Sequence, residues 1–196
     1  MKVTIFQDVF QKNTPHHIHL GQALKRIQEG NSATTIDDVR KGNKEAKKKL
    51  PVVLFSGEFS SRNDDALFEH SGFVVLDFDH IEVEKSKAIL STDPYVYSCW
   101  VSPSGDGLKA LVRITNPERH RDHFRSLVNY FHKQYNLDVD ESGVNESRAC
   151  FESHDPDIVI NERSEKFGAF ASEKSEQVQE ARKGEVTDYM KLNLAC

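Results

Sequence analysis

The sequence contains few cysteines and no long apolar segment. Its 3 cysteines, Cys99, Cys150 and Cys196, are odd in number and widely spaced, which argues against a disulfide framework and against a zinc site. Apolar runs such as 52–55 and 73–76 are short, so we expect no transmembrane helix. The stretch 1–12 lacks the apolar core of a signal peptide. These absences favour a cytoplasmic protein with no membrane partner.

A basic excess is also lacking. The chain has 26 Lys and Arg residues against 31 Asp and Glu residues, which gives a formal net charge of −5. Because nucleic-acid-binding domains usually carry surplus positive charge, this total counts against a nucleic-acid partner. The charge is unevenly distributed, however. Basic residues concentrate in 40–49 and 119–133, and part of the acidic count lies in 172–185. Any affinity for nucleic acid is therefore expected to be modest and salt-sensitive.

The rest of the composition is that of a folded protein. Hydrophobic residues make up 37% and charged residues 29% of the chain, which suits one full-sized domain. Strand and helix patterns alternate through 1–170 and predict a single α/β (α+β) domain, whose mixed or antiparallel sheet is flanked by helices. The charged stretch 171–196 has little apolar content and is predicted to be a tail or a linker to a further module.

The individual elements follow from local patterns. The strongest strand pattern is 73–78, and further strands are predicted at 52–55, 95–101, 108–114 and 158–160. Helices are predicted at 17–29, 35–50, 83–90 and 117–135. A polar loop is expected after 55. Within 108–114 the apolar side chains recur at every second position, which places them on one face of a strand.

Two carboxylates, Asp77 and Asp79, end the strand 73–78. Residues i and i+2 of a strand point to the same face, so the two side chains are expected to lie side by side. Like charges this close repel each other unless a cation lies between them. Hard oxygen ligands of this kind suit Mg²⁺ or Mn²⁺. The alternative is a strand that ends in a polar loop with two solvated aspartates.

A turn rich in serine and glycine occupies 102–107 and precedes Lys109. Its glycines permit close approach of the backbone to a ligand, and successive N–H groups with serine hydroxyls can bind an anion. The candidate phosphate ligands are Ser102, Ser104, Gly105, Gly107 and Lys109. The alternative is an ordinary hairpin turn, since Asp-Gly is a common turn signal. The spacing does not match a Walker A loop.

A third group of polar residues lies in 138–148. Asp140 can supply a third carboxylate, with Asp138 and Asp155 as rivals, and Arg148 can supply a fixed cation for phosphate. The spacing does not match an EF-hand loop. An ordinary surface loop with an Arg–carboxylate pair is the alternative. Arg62, in the polar loop after 55, is a further candidate for nucleotide binding.

Two basic runs complete the candidate features. The run 40–49 holds six basic residues and Glu45, and the run 119–133 holds four basic residues with three histidines. Such runs are usually solvated faces. They are also the kind of surface that neutralises the phosphates of a nucleic-acid backbone.

Taken in order, the acidic pair, the Ser/Gly turn with a basic residue and the further acid resemble the motifs of the archaeo-eukaryotic primase superfamily of primase–polymerases. Within it, the text LPVVLFSGEF, SGFVVLDFDHI, SPSGDGLKALVRI and SRACFESHDPDIVIN is similar to the primase-like domain that precedes VirE-type helicase modules in bacterial mobile elements. The resemblance covers about 50–161. The superfamily has a histidine in its second motif where this chain has Lys109.

The resemblance implies a core sheet like that of the RNA-recognition motif and metal-dependent nucleotidyl transfer on a nucleic-acid template. In that role Asp77, Asp79 and Asp140 hold Mg²⁺ or Mn²⁺ and act with Lys109 in catalysis. The serines and glycines of the turn, with Lys109, Arg148 and Arg62, position a nucleoside triphosphate. Single-stranded DNA or a primer–template and a helicase module are the implied partners. The alternatives are a catalytically inactive nucleic-acid-binding adaptor on the same fold and a metal-dependent nuclease.

Overall fold

Ten strands and five α-helices follow one another along residues 1–169, the part of the chain that the computed structural model describes. The strands form two four-stranded sheets and one hairpin, all with antiparallel pairing. No helix within this part is long and apolar enough to cross a membrane. The predicted tail 171–196 lies outside the described residues. The fold class predicted from the sequence, a single mixed α+β domain with antiparallel sheets and several helices, is confirmed.

The first sheet has the strand order β2-β1-β3-β9. Its strands are β1 (Lys2–Phe6), β2 (His16–His19), β3 (Val52–Leu54) and β9 (Cys150–Phe151). Helix α1 (Leu20–Glu29) starts later than the predicted helix 17–29, because 16–19 pair with β1 in the register Lys2↔His19. Strand pairing therefore overrides the helical spacing at this point.

The second sheet has the strand order β10-β7-β8-β6. Its strands are β6 (Phe73–Phe78), β7 (Val96–Val101), β8 (Leu108–Arg113) and β10 (Val159–Ile160). Helix α4 (Val83–Thr92) connects β6 to β7, and helix α5 (His120–Tyr135) follows β8. Because β8 pairs with both β6 and β7, the turn 102–107 is the hairpin connection between β7 and β8.

The second sheet is buried on both faces, because alternate residues of its strands belong to two different cores. One face packs against α4 and α5 and contains Val74, Leu76, Phe78, Leu108, Ala110, Val112 and Ile114. The other contains Val75, Trp100 and Leu111 and packs against β3 and α1. By strand alternation Asp77 and Lys109 lie on this second face. The fold therefore directs both charged side chains toward the first sheet.

Two further predicted segments differ from the structure. The predicted helix 35–50 is divided into α2 (Ala33–Arg40) and α3 (Lys44–Lys47). The break occurs where Gly42 adopts a φ of 98°, and where Asn43 accepts hydrogen bonds at 3.1 Å from the backbone N–H groups of Glu45 and Ala46.

The second difference is a hairpin in the predicted polar loop after 55. It consists of β4 (Gly57–Phe59) and β5 (Leu67–His70). Phe59 is buried against Phe6 and Leu54 of the first sheet, and Leu67 packs against the same cluster. Strands of three or four residues are too short to produce a clear alternation in the sequence.

Candidate functional site

A cleft of about 300 Å³ contains four of the charged residues that the sequence singles out, Asp77, Asp79, Lys109 and Arg148. It is lined by Lys47, Asp77, Asp79, Pro103, Lys109, Arg148, Ala149 and Phe151. These residues come from α3, the end of β6, β8, the turn 102–107 and the segment that enters β9. Three cations and two carboxylates therefore line one cleft, although they are far apart in the sequence.

The floor of the cleft is an ion pair between Lys109 and Asp77. The two residues are register partners on the neighbouring strands β8 and β6. Lys109 Nζ donates to Asp77 Oδ2 at 2.5 Å, and the side chains are only 8% and 16% exposed. At this burial, removal of either partner would leave an uncompensated charge in a poorly solvated place.

The charge state of Lys109 follows from its neighbours. Burial favours the neutral amine, whereas Cys150 and the Asp77 carboxylate favour the ammonium, and the balance raises the pKa of Lys109 above its ordinary value. Burial also raises the pKa of Cys150 to about 11, so this thiol is neutral near pH 7. Asp77 is therefore the group that balances the charge of Lys109.

Arg148 connects this pair to Asp140. Its Nη2 atom lies 2.7 Å from Asp140 Oδ2 and 3.7 Å from Asp77 Oδ2. The Asp140 backbone N–H donates to the Asp77 carbonyl at 2.8 Å, which brings Asp140 alongside β6. Burial opposes ionisation of Asp140, but hydrogen bonds from Ser142 and the Arg148 charge outweigh it and lower the pKa of Asp140. The surface-loop alternative thus accounts for only part of this geometry, because the Arg–carboxylate pair also reaches Asp77.

Asp79 lies at the exposed rim, next to the turn 102–107. It is followed by His80, which adopts a left-handed φ of 54°, and His80 Nδ1 lies 3.0 Å from Asp106 Oδ2 of the turn. A Cβ atom on Gly107 would lie 2.3 Å from the Phe78 carbonyl oxygen. A glycine at 107 is therefore what allows the turn to pack against the end of β6.

The turn itself is organised mainly by its own polar groups. The hydroxyls of Ser102 and Ser104 lie 3.1 Å apart in a hydrogen bond. The Ser102 N–H donates to the Gly107 carbonyl, and the Gly105 N–H donates to the Ser102 carbonyl. These contacts are those of an ordinary hairpin turn, which the sequence analysis gave as the alternative to a phosphate-binding turn. Of the turn residues, Pro103 lines the cleft, so phosphate binding by the serines and glycines stays a prediction.

Three other candidates have partners away from the cleft. Asp138 is 88% exposed and pairs with His132, and Asp155 accepts hydrogen bonds from Lys87 and from the Val101 N–H. Arg62 donates to the Val9 carbonyl at 2.8 Å and fastens the loop after β4 to the β1–β2 connection. Of the three acids considered for the third carboxylate, Asp140 is the one connected to Asp77.

Two cleft residues, Lys47 and Phe151, were not singled out from the sequence. Lys47 Nζ lies 5.7 Å from the centre of the Phe151 ring, within the range of a cation–π contact. The only signal for Lys47 is its membership of the basic run 40–49. Phe151 carries no signal of its own, because its role depends on the pairing of β9 with β3.

The cleft offers two carboxylates to a cation. Within residues 1–169, no group of three or more His, Cys, Asp or Glu side chains is placed to hold a metal ion, so a centre made by Asp77, Asp79 and Asp140 stays a prediction. Asp77 Oδ1 is buried and accepts no hydrogen bond from the described residues. This unpartnered oxygen, with the exposed carboxylate of Asp79, fits a hard divalent cation.

A family model matches residues 45–159, which is more than half of the chain and includes every residue that lines the cleft. The model is that of the BT4734-like, N-terminal domain. No curated protein and no solved structure matches the chain.

The match corrects the assignment made from the motifs. The resemblance to the archaeo-eukaryotic primase superfamily and its VirE-associated domains is wrong as a family assignment, because the family found over these residues is a different one. Each of those motifs is short, and an acidic pair on a strand or a Ser/Gly turn is compatible with many folds. The chain belongs to the BT4734-like, N-terminal domain family.

Proposed function

We propose that the cleft binds the phosphates of a nucleoside triphosphate and that the protein transfers the nucleotidyl group to a nucleic-acid strand, with Mg²⁺ or Mn²⁺ as cofactor. The observation that carries this proposal is the convergence of Lys47, Lys109 and Arg148 with Asp77 and Asp79 in one cleft. Cations of this kind bind phosphate oxygens. Nucleotidyl transfer depends chiefly on positioning and charge stabilisation, which such a cleft can provide.

The cations of the cleft have different roles in this proposal. The Arg148 side chain is 29% exposed, and Lys47 is half-buried. Both can therefore contact a phosphate. Lys109 is buried and engaged with Asp77. It acts as a positioning residue, because its hydrogen bond to Oδ2 fixes the carboxylate and leaves Oδ1 without a partner among the described residues.

The carboxylates would hold the cofactor. Asp77 and Asp79 are the carboxylates that line the cleft, and Asp77 Oδ1 has no hydrogen-bond partner among the described residues. A bound Mg²⁺ or Mn²⁺ would supply Lewis-acid stabilisation of the negative charge that develops on the phosphates. Asp140 holds Arg148 at 2.7 Å and thereby orients the guanidinium toward the same place.

The test is template-directed incorporation of labelled nucleotides in the presence of Mg²⁺ or Mn²⁺. Asp79→Asn removes an exposed charge at the rim and should lower incorporation about 100-fold or more, the size of effect typical for loss of an electrostatic group in an active site. Asp77→Asn should have the same effect on incorporation. Asp138→Asn is the matched control, because Asp138 lies outside the cleft and pairs with His132. Full activity in Asp79→Asn and Asp77→Asn would contradict the proposal.

A nuclease is distinguished in the same experiment. If the labelled strand is incubated with metal but without nucleotides, a nucleotidyl transferase leaves its length unchanged. Shortening of the strand, abolished by Asp79→Asn, would instead assign metal-dependent hydrolysis to the cleft.

A nucleic-acid-binding adaptor without catalysis is the second candidate function. It is favoured by the Lys109–Asp77 pair, in which an ammonium group already occupies one carboxylate oxygen at 2.5 Å. Calorimetry distinguishes the two candidates. An adaptor should bind single-stranded DNA but show no metal-dependent binding of a nucleoside triphosphate.

The partners and location follow from the proposal. We expect nucleoside triphosphates together with single-stranded DNA or a primer–template. A cytoplasmic location is expected, where the buried free thiols Cys99 and Cys150 would stay reduced. A helicase module was implied by the corrected resemblance alone, and no residue of the cleft supports it.

A further inference from the structure

The two basic runs of the sequence differ in how their charges are balanced. In the run 119–133, three arginines form ion pairs with carboxylates of the same chain. Arg119 and Arg125 pair with Asp122, at 2.8 Å and 3.5 Å. Arg121 pairs with Asp64 and Glu146, at 3.2 Å and 3.0 Å. Most of the positive charge of this run is therefore compensated by carboxylates of the same protein.

The run 40–49 is not compensated in this way. Lys48 pairs with Glu45 at 2.8 Å. In the part of the chain that the structure describes, its other basic residues form no ion pair; they are Arg40, Lys41, Lys44, Lys47 and Lys49. All of them are exposed except Lys47, which is half-buried. The run therefore presents net positive charge to solvent, although the whole chain has a formal charge of −5.

Two residues of this run lie at the cleft or at the turn beside it. Lys47 lines the cleft directly. The side chain of Arg40 lies over the turn 102–107, since its Cγ and Nε atoms are 3.5 Å from the position of a Cβ on Gly105. Arg40 is held there by a hydrogen bond from its Nη2 atom to the His154 carbonyl at 2.9 Å. The basic run therefore borders the cleft at Lys47 and the turn 102–107 at Arg40.

We infer that the exposed basic surface of α2 and α3, formed by Arg40, Lys41, Lys44 and Lys47, binds the phosphodiester backbone of the nucleic-acid strand that enters the cleft. This inference rests on the proposed function. Uncompensated cations gain free energy by neutralising phosphates and releasing counterions. The exposed acids Asp37 and Asp38 precede Arg40 on α2 and are not part of this surface.

The test uses fluorescence anisotropy with a labelled single-stranded DNA and an RNA of the same sequence. The variant K41E/K44E changes two exposed lysines that do not line the cleft. Loss of two phosphate contacts should weaken binding about 25-fold at ~0.1 M salt and should reduce the slope of log K against log[salt] by about 1.4. The control K85E/K133E makes the same charge change at exposed lysines of α4 and α5, and it should retain most of the affinity.

The outcomes are distinct. Equal weakening in K41E/K44E and K85E/K133E would overturn the inference, because only total charge would then matter. Tighter binding to vesicles of anionic phospholipid than to either strand would also overturn it. A difference in affinity between the DNA and the RNA shows which nucleic acid the surface prefers. Equal affinities indicate that only the shared phosphodiester backbone is recognised. Both of these results support nucleic-acid binding by the basic surface.

A second measurement separates this inference from the proposed function. Metal-dependent binding of a labelled nucleoside triphosphate should be unchanged in K41E/K44E, which also shows that the variant is folded. If the wild-type protein binds the nucleotide but neither strand, the basic surface is refuted while the nucleotide site stands. If it binds no nucleotide, the proposed function itself fails.

Discussion

Asp77 and Lys109 show how one pair of residues can determine both stability and site geometry. Each removes the cost of burying the other's charge, and their 2.5 Å hydrogen bond also orients the carboxylate. Local pattern placed Asp77 at the end of a strand and Lys109 at the start of another. That the two are register partners follows only from the pairing of β6 with β8.

The first prediction concerns this pair. Lys109→Met and Asp77→Asn should each lower the free energy of unfolding by about 3 kcal/mol, because each leaves one buried charge without its main partner. The double variant should lose less than the sum, since neither charge remains. Urea unfolding of the four proteins measures this coupling. Additive losses would show that the pair contributes nothing as a pair.

A second residue pair, His70 and His120, connects the end of β5 to the start of α5. The Gly72 N–H donates to His70 Nδ1 at 2.8 Å, so the His70 proton lies on Nε2 and is donated to His120 Nδ1 at 3.0 Å. Both rings are therefore neutral in this arrangement. Burial is the main cause that lowers the pKa of His120 to about 3, and the nearby Arg121 charge adds to it. Burial also lowers the pKa of His70.

The second prediction is a pH dependence of stability. The folded pKa of His120 is below its ordinary value of 6.5, so the unfolded chain binds the proton more readily. The stabilisation is complete above about pH 6.5 and decreases as the pH falls toward 3, by ~2 kcal/mol at about pH 5. Urea unfolding at several pH values should show this loss. His120→Gln should reduce the change of the unfolding free energy with pH, whereas His132→Gln, at an exposed position, should not. Equal pH dependence in the wild type and both variants would refute the assignment of this effect to His120.

At the scale of elements, the hairpin turn 102–107 connects two strands of the site and packs against a third. The end of β6 approaches the turn so closely that a Cβ on Gly107 would meet the Phe78 carbonyl oxygen at 2.3 Å. The Ile81 N–H also donates to the Asp106 carbonyl at 3.2 Å. The position of Asp79 at the rim therefore depends on this contact between two connections.

The third prediction compares two glycines. Gly107→Ala should lower the free energy of unfolding by about 2 kcal/mol, because the turn must move away from β6, and it should weaken nucleotide binding in the cleft. Gly21→Ala is the control. A Cβ on Gly21 in α1 has no atom within 4 Å, and alanine favours a helix, so a gain of about 0.5 kcal/mol is expected. Thermal unfolding and nucleotide titration of both variants test this, and wild-type stability in Gly107→Ala would contradict the contact.

At the scale of the whole molecule, the two sheets share one core. Side chains of the first sheet and α1, such as Val53 and Leu24, pack in the same cluster as Val75, Trp100 and Leu111 of the second sheet. A buried polar contact adds to this connection, because the Ser153 hydroxyl, just after β9, donates to the Val101 carbonyl of β7 at 2.6 Å. Neither sheet can lose its structure without exposing the core of the other.

The fourth prediction is cooperative unfolding. The only tryptophan of the chain, Trp100, lies in the shared core, so its fluorescence reports separation of the sheets. Urea unfolding followed by this fluorescence and by far-UV circular dichroism should give coincident transitions. Two separate midpoints would show that the sheets unfold as independent units.

The sequence predicted more of the elements than of the site. The strand Phe73–Phe78 matches its predicted bounds, and the apolar face of β8 lies in the core as expected. Both signals are local, since they depend on alternation along one strand. The short hairpin β4–β5 was not predicted, because its packing partners are distant in the chain. The break between α2 and α3 was not predicted either, although Gly42 and Asn43 mark it locally.

For the candidate site, the sequence by itself determined which side chains can bind phosphate or a cation, among them Asp77, Asp79 and Arg148, because this capacity is a property of residue type. The tertiary structure decided that these three share a cleft with Lys47 and Phe151, and that Arg62 and Asp138 do not. It also decided which basic run is left uncompensated. The physical reason is that a charge acts on whatever lies within a few ångströms, and at this range the neighbours are set by strand pairing and packing.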